Sequence, residues 1–319
     1  MKRIGKYKID FVIPLHRINI LFPSVVEAIV EFYAPRTIYI ITSIAEIEKL
    51  SGQVSQWKVK QTHIRYVEEE TFFQPRYHKS LENIKKWYTY KDEQSREFGW
   101  WFQQILKLGA VYRIRNLSKP FIVWDADLIP LQKWTLFPSF KIPHFHFALL
   151  QDADKHENHH QKEYQQSLFE LLKLPEIQPK HSKTEGGTFI PHHFVFYPHI
   201  IRSFIRYIEK IHNCSPKKPW FRVILQLSKK YYRFSEYKNI ATFMSYFFPK
   251  KLHYHPFLYY GKNGVCLRNS EESVFFIRDL KNYIPPHKSY ISYCDFNNYL
   301  YFKYEHSPTY IQVEHLTTS

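Results

Sequence analysis

Glycine is scarce in this chain. The eight glycines, Gly5, Gly52, Gly99, Gly109, Gly186, Gly187, Gly261 and Gly264, fall into neither a GxGxxG nor a GxxxxGKS/T spacing. Without the Gly-rich turns that bring backbone N–H groups up to phosphates, the dinucleotide-binding and P-loop enzyme classes are set aside. Cysteine is scarcer still. Cys214, Cys266 and Cys294 are odd in number and far apart, so they form neither a zinc pattern nor a disulfide framework and fit a reducing compartment. No apolar run approaches the roughly 20 residues that cross a bilayer. The basic start, residues 1–8, leads into a strand-like segment rather than a signal-peptide core, so a cytoplasmic protein is expected. Acidic residues are outnumbered 29 to 45 by Lys and Arg, a formal charge of +16. Such a surplus attracts phosphates, nucleotides, nucleic acid or acidic lipid without choosing among them.

What is present is globular: 44% hydrophobic residues against 23% charged leave ample core for one large domain or two small ones. Residues 9–14 and 120–124 read as buried strands, the β-branched 37–42 and then 63–67 as further strands, and 23–33, 44–50 and 95–112 as helices. Strand and helix alternating at this spacing predict an α/β layer with a mostly parallel sheet, whose ligands gather beyond the carboxyl ends of the strands. Farther on, 144–150 and 187–197 read as strands and 198–213 and 220–230 as helices. After Pro256 the chain is rich in aromatics and resists assignment.

The sharpest signal is Phe121-Ile-Val-Trp-Asp125-Ala-Asp127-Leu-Ile-Pro130, an apolar run interrupted by two carboxylates one residue apart. Just past a buried strand, such oxygen ligands suit Mn2+ or Mg2+, which take one or two protein carboxylates together with substrate phosphates. The plainer account is a strand-end turn capped by an Asp side chain. A second pair, Asp152-Ala-Asp154, has a polar run behind it and reads as a surface loop. His156-Glu157-Asn-His-His160 satisfies HExxH, but zinc needs a helix packed firmly enough to hold both histidines. With polar flanks and 18 histidines in the chain, this is a chance match. On the helix over 95–112, Trp100, Gln104 and Lys107 share a face at i, i+4 and i+7. That stripe suits a base, a sugar and a phosphate, yet taken alone it reads as the solvated edge of an amphipathic helix.

In order along residues 9–255 stand Gly99-Trp100-x-x-Gln103-Gln104-x-x-Lys107, Asp125-x-Asp127, His192-His193 and Phe234-Ser235-Glu236-Tyr237. Together they resemble the pattern of GT-A-type glycosyltransferases, specifically a bacterial and viral group within them. Trp124 departs from the smaller residue expected before the acids, as does the basic character of the chain. The resemblance implies a GT-A (Rossmann-like) α/β fold, a mixed, mostly parallel sheet flanked by helices. It would form a catalytic domain over 1–255, with a donor half of about 1–130 and an acceptor half of about 131–255. An aromatic-rich C-terminal extension, 256–319, would pack on it. A UDP- or GDP-sugar would be held through Mn2+ or Mg2+ on Asp125 and Asp127, with His255, or else His253, completing the metal shell. Trp100, Gln104 and Lys107 would bind the donor, Lys107 reaching its diphosphate. Glu236 becomes the candidate for acceptor binding or for the general base. A helix start, with Ser235 as cap and Glu236 in the first turn, accounts for the same pair. His192 and His193 alternate across a strand, so one of them faces the cleft on the acceptor side.

The expected activity is transfer of a sugar to a hydroxyl of a glycan or lipid-linked acceptor in polysaccharide biosynthesis, at the inner face of an anionic membrane. A non-enzymatic nucleic-acid binder would instead use Lys217-Lys-Pro-Trp220-Phe-Arg222, Lys229-Lys-Tyr-Tyr-Arg233 and the GxxG-like Gly261-Lys-Asn-Gly264. It leaves the buried-strand acids unexplained, and no stable nucleic-acid partner is expected. A metal-dependent phosphoryl-transfer enzyme needs more acids converging on the cleft.

Overall fold

The computed structural model of the chain describes residues 9–59, 61–89, 97–134, 136, 145–149, 155–177, 187–188, 192–231, 233–251, 254–256, 265–267, 270–283, 290–303 and 310–313. The β-branched runs form β1 (Asp10–Pro14), β2 (Thr37–Thr42) and β3 (His63–Glu68), linked by the helices α1 (Phe22–Tyr33) and α2 (Ile44–Gln53). Each crossover leaves its strands parallel, with Phe11 opposite Ile38 and Ile38 opposite Ile64. Two short helices, α3 (Gln74–Tyr77) and α4 (Leu81–Lys85), precede α5 (Phe98–Arg113), which returns the chain to β4 (Phe121–Trp124) on the other side of β1. Then come β5 (Leu128–Pro130), β6 (Phe145–Leu149), α6 (Lys155–Leu172), β7 (Gly187–Thr188) and β8 (His193–Phe196). β8 pairs antiparallel with β4 and completes the sheet β3-β2-β1-β4-β8. Mixed and mostly parallel, with helices around it, this is the α/β class read from the sequence.

Both faces of the sheet are buried at β1, β2, β4 and β8, which is why these strands are largely apolar, whereas the edge strand β3 is only partly buried and carries His63, Arg65 and Glu68. Phe11, Ile13, Ile122, Trp124 and Val195 point to one face, against α1. Val12, Phe121, Val123, Phe194 and Phe196 point to the other, against α5 and the following helices α7 (Pro198–Ile211), α8 (Trp220–Gln226) and α9 (Glu236–Phe247). The strand period of two decides this division residue by residue. At the sheet's lower edge β1 starts on a buried acid: Asp10 takes both arms of Arg36, and its Oδ2 also accepts from the Ser118 backbone N–H at 2.8 Å.

The remaining strands are β9 (Tyr254–Pro256), β10 (Val265–Leu267) and β11 (Tyr310–Val313), with the helices α10 (Ser270–Tyr283) and α11 (Tyr293–Lys303) between the last two. They build two three-stranded sheets, β10-β11-β5 and β7-β6-β9. The aromatic-rich end of the chain therefore does carry regular structure. It docks on α1, where Ser24 Oγ donates to the Ile291 carbonyl at 2.6 Å and Glu27 Oε2 accepts from the Tyr293 N–H at 2.8 Å.

Two expectations are corrected. The single strand read over 187–197 is two strands in different sheets, and His192 stands at its break with φ 58°, a left-handed conformation that an extended strand cannot contain. The helix read over 220–230 is α-helical only to Gln226 and tightens into a 3-10 turn over 227–229. Asp152, Asp154, His253 and Gly261 to Gly264 lie outside the described residues. His156 to His160 belong to the backbone of α6, but their side chains are not among those described.

Glu69, the residue after β3, gives the fold a pH dependence. Burial, reinforced by the neighbouring Glu70 and opposed by Lys85, pushes its carboxyl up to about 7. A carboxyl raised in the folded state binds its proton more tightly there than in the unfolded chain. Its contribution is therefore complete in acid and is lost as pH rises to about 7. Glu69→Gln is expected to stabilise the protein by about 1–2 kcal/mol near pH 8 and hardly at all near pH 4, a figure reduced for the group's partial solvent contact. Denaturant unfolding at the two pH values checks this; an identical gain at both would contradict it.

Candidate active site

Asp125 and Asp127 stand on a braced turn. The Leu128 N–H closes it on the Asp125 carbonyl at 3.3 Å, and the Trp124 indole N–H donates to the Leu128 carbonyl at 2.9 Å. The large residue that departs from expectation before the acids thus ties the two ends of their turn together. Its ring is fully buried, stacked on Trp134 with centroids 5.3 Å apart. On one side β11 holds the turn, the Val313 N–H donating to the Asp127 carbonyl at 3.2 Å. On the other side the β4–β8 register pairs Trp124 with His193, and one step on the Asp125 N–H donates to the His192 carbonyl at 2.9 Å.

The turn does not use the Asp125 side chain as its cap. Asp125 Oδ1 accepts from the Lys107 ammonium at 2.5 Å and from the Tyr237 hydroxyl at 2.8 Å, while Oδ2 lies 3.1 Å from His192 Nδ1. Lys107 also donates to Glu236 Oε1 at 2.6 Å and to the Tyr237 hydroxyl oxygen at 3.1 Å. An ammonium has three N–H groups, so these contacts saturate it. Two helices are aimed to make this possible. Lys107 comes from the middle of α5, whereas Glu236 and Tyr237 open α9, whose start is fixed by Ser235 Oγ accepting from the Lys238 N–H at 3.3 Å. Gln104, one turn before Lys107, accepts from the Glu236 N–H at 3.1 Å and donates to the Trp100 carbonyl at 3.2 Å.

Burial and charge act against each other in this cluster. Burial pushes the Asp125 carboxyl up, but the Lys107 ammonium and the His192 ring outweigh it and hold the group well below the usual carboxylate range. Burial drives the Lys107 ammonium down, and Asp125 and Glu236 reverse the sign, keeping it firmly protonated. For Glu236 burial wins, helped by the Asp125 charge and opposed by Lys107, and its carboxyl lies above the usual range. Burial and both carboxylates carry the Tyr237 phenol well above its ordinary value, so it remains a donor.

Several placements differ from those expected. Gln104 and Lys107 are buried, not a solvated edge, and Lys107 spends its donors on Asp125, Glu236 and Tyr237, so it is not directed at a diphosphate. Glu236 has a side chain only 3% exposed and lies beneath Asp125, bonded to Lys107. An acceptor hydroxyl would meet Asp125 first, so a general-base role is not what this placement supports; the helix-start account of Ser235 and Glu236 describes the geometry. Of the histidine pair, His192 faces Asp125 and is partly exposed, while His193 is buried against the stacked rings of Trp124 and Trp134, its ring centroid 5.1 and 4.8 Å from theirs. Trp100 is half-buried at the start of α5. His255 lies on β9, in register with His146 of β6. Among the described residues no group of three or more His, Cys, Asp or Glu side chains is arranged as a metal cage. In the basic stretch over 217–222, Trp220 and Phe221 are fully buried, Trp220 donating to the Tyr77 hydroxyl at 3.0 Å, so neither ring can stack on a nucleobase.

One member of the site was not legible in its role: Tyr237 stands in the Ser235-Glu236-Tyr237 pattern, but nothing in a tyrosine in a helix's first turn marks it as the partner of Asp125 and Lys107.

The fold and these side chains define an α/β protein with a carboxylate pair at the switch point of its sheet. β2 lies to one side of β1 and β4 to the other, and Asp125 stands at the carboxyl end of β4, where open α/β sheets bind their ligands. Residues 5–280 match DUF6492, a family of unknown function, and the chain belongs to that family. No curated protein matches it. Among solved structures, mouse xyloside xylosyltransferase 1 in its apo form is similar at 10% identity and TM-score 0.49, over 98% of this chain and 99% of that one. A nucleoside-diphosphate-sugar pyrophosphorylase from Vibrio cholerae is similar at 8% identity and TM-score 0.40, over 77% of this chain and 91% of that one. The glycosyltransferase GlyE of Streptococcus pneumoniae is similar at 9% identity and TM-score 0.37, over 97% of this chain and 56% of that one. Likenesses this distant say nothing of the chemistry, which rests on the side chains. Among the described residues no helix is long and apolar enough to cross a membrane.

Proposed function

We propose that the protein is a GT-A-type glycosyltransferase that takes a UDP- or GDP-sugar and transfers the sugar to a hydroxyl of a glycan or lipid-linked acceptor. The observation that carries this reading is the braced carboxylate pair, Asp125 and Asp127, at the switch point of the sheet. The donor set fits Mn2+ or Mg2+: carboxylate oxygens are the hard ligands these ions take, and Asp125 is held ionised. Asp125 Oδ1 is taken up by Lys107 and Tyr237, so Asp125 through Oδ2, together with Asp127, would hold the ion. Bound there, the cation would offset the charge that builds on the leaving nucleoside diphosphate.

The chain's own residues supply rigidity and sign. Lys107 keeps Asp125 ionised and fixed in one rotamer. Glu236 fixes Lys107 in turn, and Tyr237 bridges the two. His192 flanks the exposed oxygen of Asp125 on the acceptor side. In the transfer, the acceptor oxygen bonds to the anomeric carbon as the bond from that carbon to the diphosphate breaks; the diphosphate leaves with the bonding pair and the hydroxyl proton passes to water. A panel of nucleotide-sugars, assayed for slow hydrolysis with Mn2+ and with EDTA, tests the reading. Turnover of one donor, abolished by EDTA, is expected; no turnover of any donor with or without acceptor sugars would contradict it.

A further inference from the structure

A second cavity, of about 440 Å3, opens between α3 and the last turns of α5. Its volume is within the range of about 300–1,000 Å3 typical of small-molecule sites. The rings of Phe72 and Phe73, just before α3, pack closely on α5 at Gly109. A Cβ at Gly109 would stand 2.8 Å from Phe72 and 3.1 Å from Phe73, so glycine is what allows the approach. Phe72, Phe73 and Pro75 line one side, the two rings almost wholly buried, and Arg76, Arg113 and Arg115 line the rest with Tyr77 and Tyr112, so the accessible wall is mostly polar.

Three guanidinium groups therefore share one cavity, and among the described residues no acid lines it. Glu209 interacts with Arg76 from outside, and Arg202 and Arg206 act on Tyr112 from the same side, so positive charge remains in surplus. Arg76 is already oriented, its guanidinium 4.0 Å above the Tyr112 ring. Arg113 Nε is buried and has no hydrogen-bond partner among the described residues. Guanidinium forks match the oxygens of phosphate in bidentate fashion, and a volume of about 440 Å3 has room for more than an inorganic ion.

We propose that this cavity binds a phosphate ester, its phosphoryl group among Arg76, Arg113 and Arg115 and an apolar body on Phe72 and Pro75. The site is separate from the acids: Arg113 lies six residues beyond Lys107 on α5, about 9 Å along the helix. The proposal does not depend on the transferase reading.

Calorimetric titration of the full chain with phenyl phosphate and with inorganic phosphate, in EDTA throughout, tests it. Phenyl phosphate should bind at least about tenfold more tightly than inorganic phosphate, without any divalent metal. Arg113→Gln and Arg115→Gln should each weaken it by about tenfold or more, as loss of a charged hydrogen bond does. Lys49→Gln, on the exposed surface of α2, should leave it unchanged. Arg115 is exposed, so its variant decides the matter if Arg113→Gln does not fold. The proposal is overturned by no binding of phenyl phosphate up to about 10 mM, by equal affinity for the two probes, or by Lys49→Gln weakening binding as much as the arginine variants. The last result would mean diffuse attraction to a strongly basic chain.

Discussion

Replacing Lys107 by methionine lowers the stability of the fold by about 3–5 kcal/mol, a fall in Tm of roughly 10 °C. Methionine fills the volume but leaves Asp125 and Glu236 facing one another without the cation between them. Breaking a buried pair by removing one member costs more than the pair contributes, because the partner's charge stays buried and uncompensated. The double variant Lys107→Met with Glu236→Gln should recover a good part of the loss, since the deeper charge is gone and Asp125 keeps His192 and Tyr237. The pH dependence has a definite sign. In the wild type the lowered Asp125 carboxyl contributes stability above the ordinary carboxylate range and loses it as pH falls through its folded value. In Lys107→Met both carboxyls are raised, so the penalty is full near neutrality and shrinks as acid protonates one of them. Thermal and denaturant unfolding of the three proteins between about pH 4 and 8 measures this. A penalty below about 1 kcal/mol, constant with pH, would mean that the pair behaves as a solvated one.

Asp127→Asn and Asp125→Asn are each expected to lower donor turnover by about 10²–10³-fold, the usual effect of removing one group that stabilises transition-state charge. The two variants should part company in stability. Asp125 is the hub for Lys107, Tyr237 and His192, and an amide there presents a donor where an acceptor is needed. Asp125→Asn should therefore cost about 1–3 kcal/mol as well as activity. Asp127 takes no part in the Lys107 cluster, so its variant should lose turnover with a smaller loss of Tm than Asp125→Asn. If Asp127→Asn turns over normally, the pair does not act together on the donor.

Much of this architecture is legible in the chain. The strands 9–14, 37–42 and 120–124 can be read because each is a largely apolar run bounded by turns, and 63–67 because apolar and polar residues alternate along it; alternation with helices forces the parallel order. The acids can be found because two carboxylates inside an apolar run cannot be core. Their company is harder to read. Lys107 and Gln104 sit on a stripe that could equally face water, and only the docking of α9 on α5, contacts more than 120 residues apart in sequence, decides that they are buried. The break at His192 hangs on one left-handed residue without a glycine to announce it. The arginine cavity is assembled from α3 and the end of α5, and no local pattern joins them.

Binding of UDP and GDP to the wild-type protein, measured by calorimetry with Mn2+ and again with EDTA, bears most directly on the central claim that the acids at the end of β4 hold a nucleoside diphosphate through a cation. One nucleotide should bind with Mn2+, and that binding should vanish with EDTA and in Asp127→Asn. Binding of equal strength with and without metal, or no binding of either nucleotide, would contradict it.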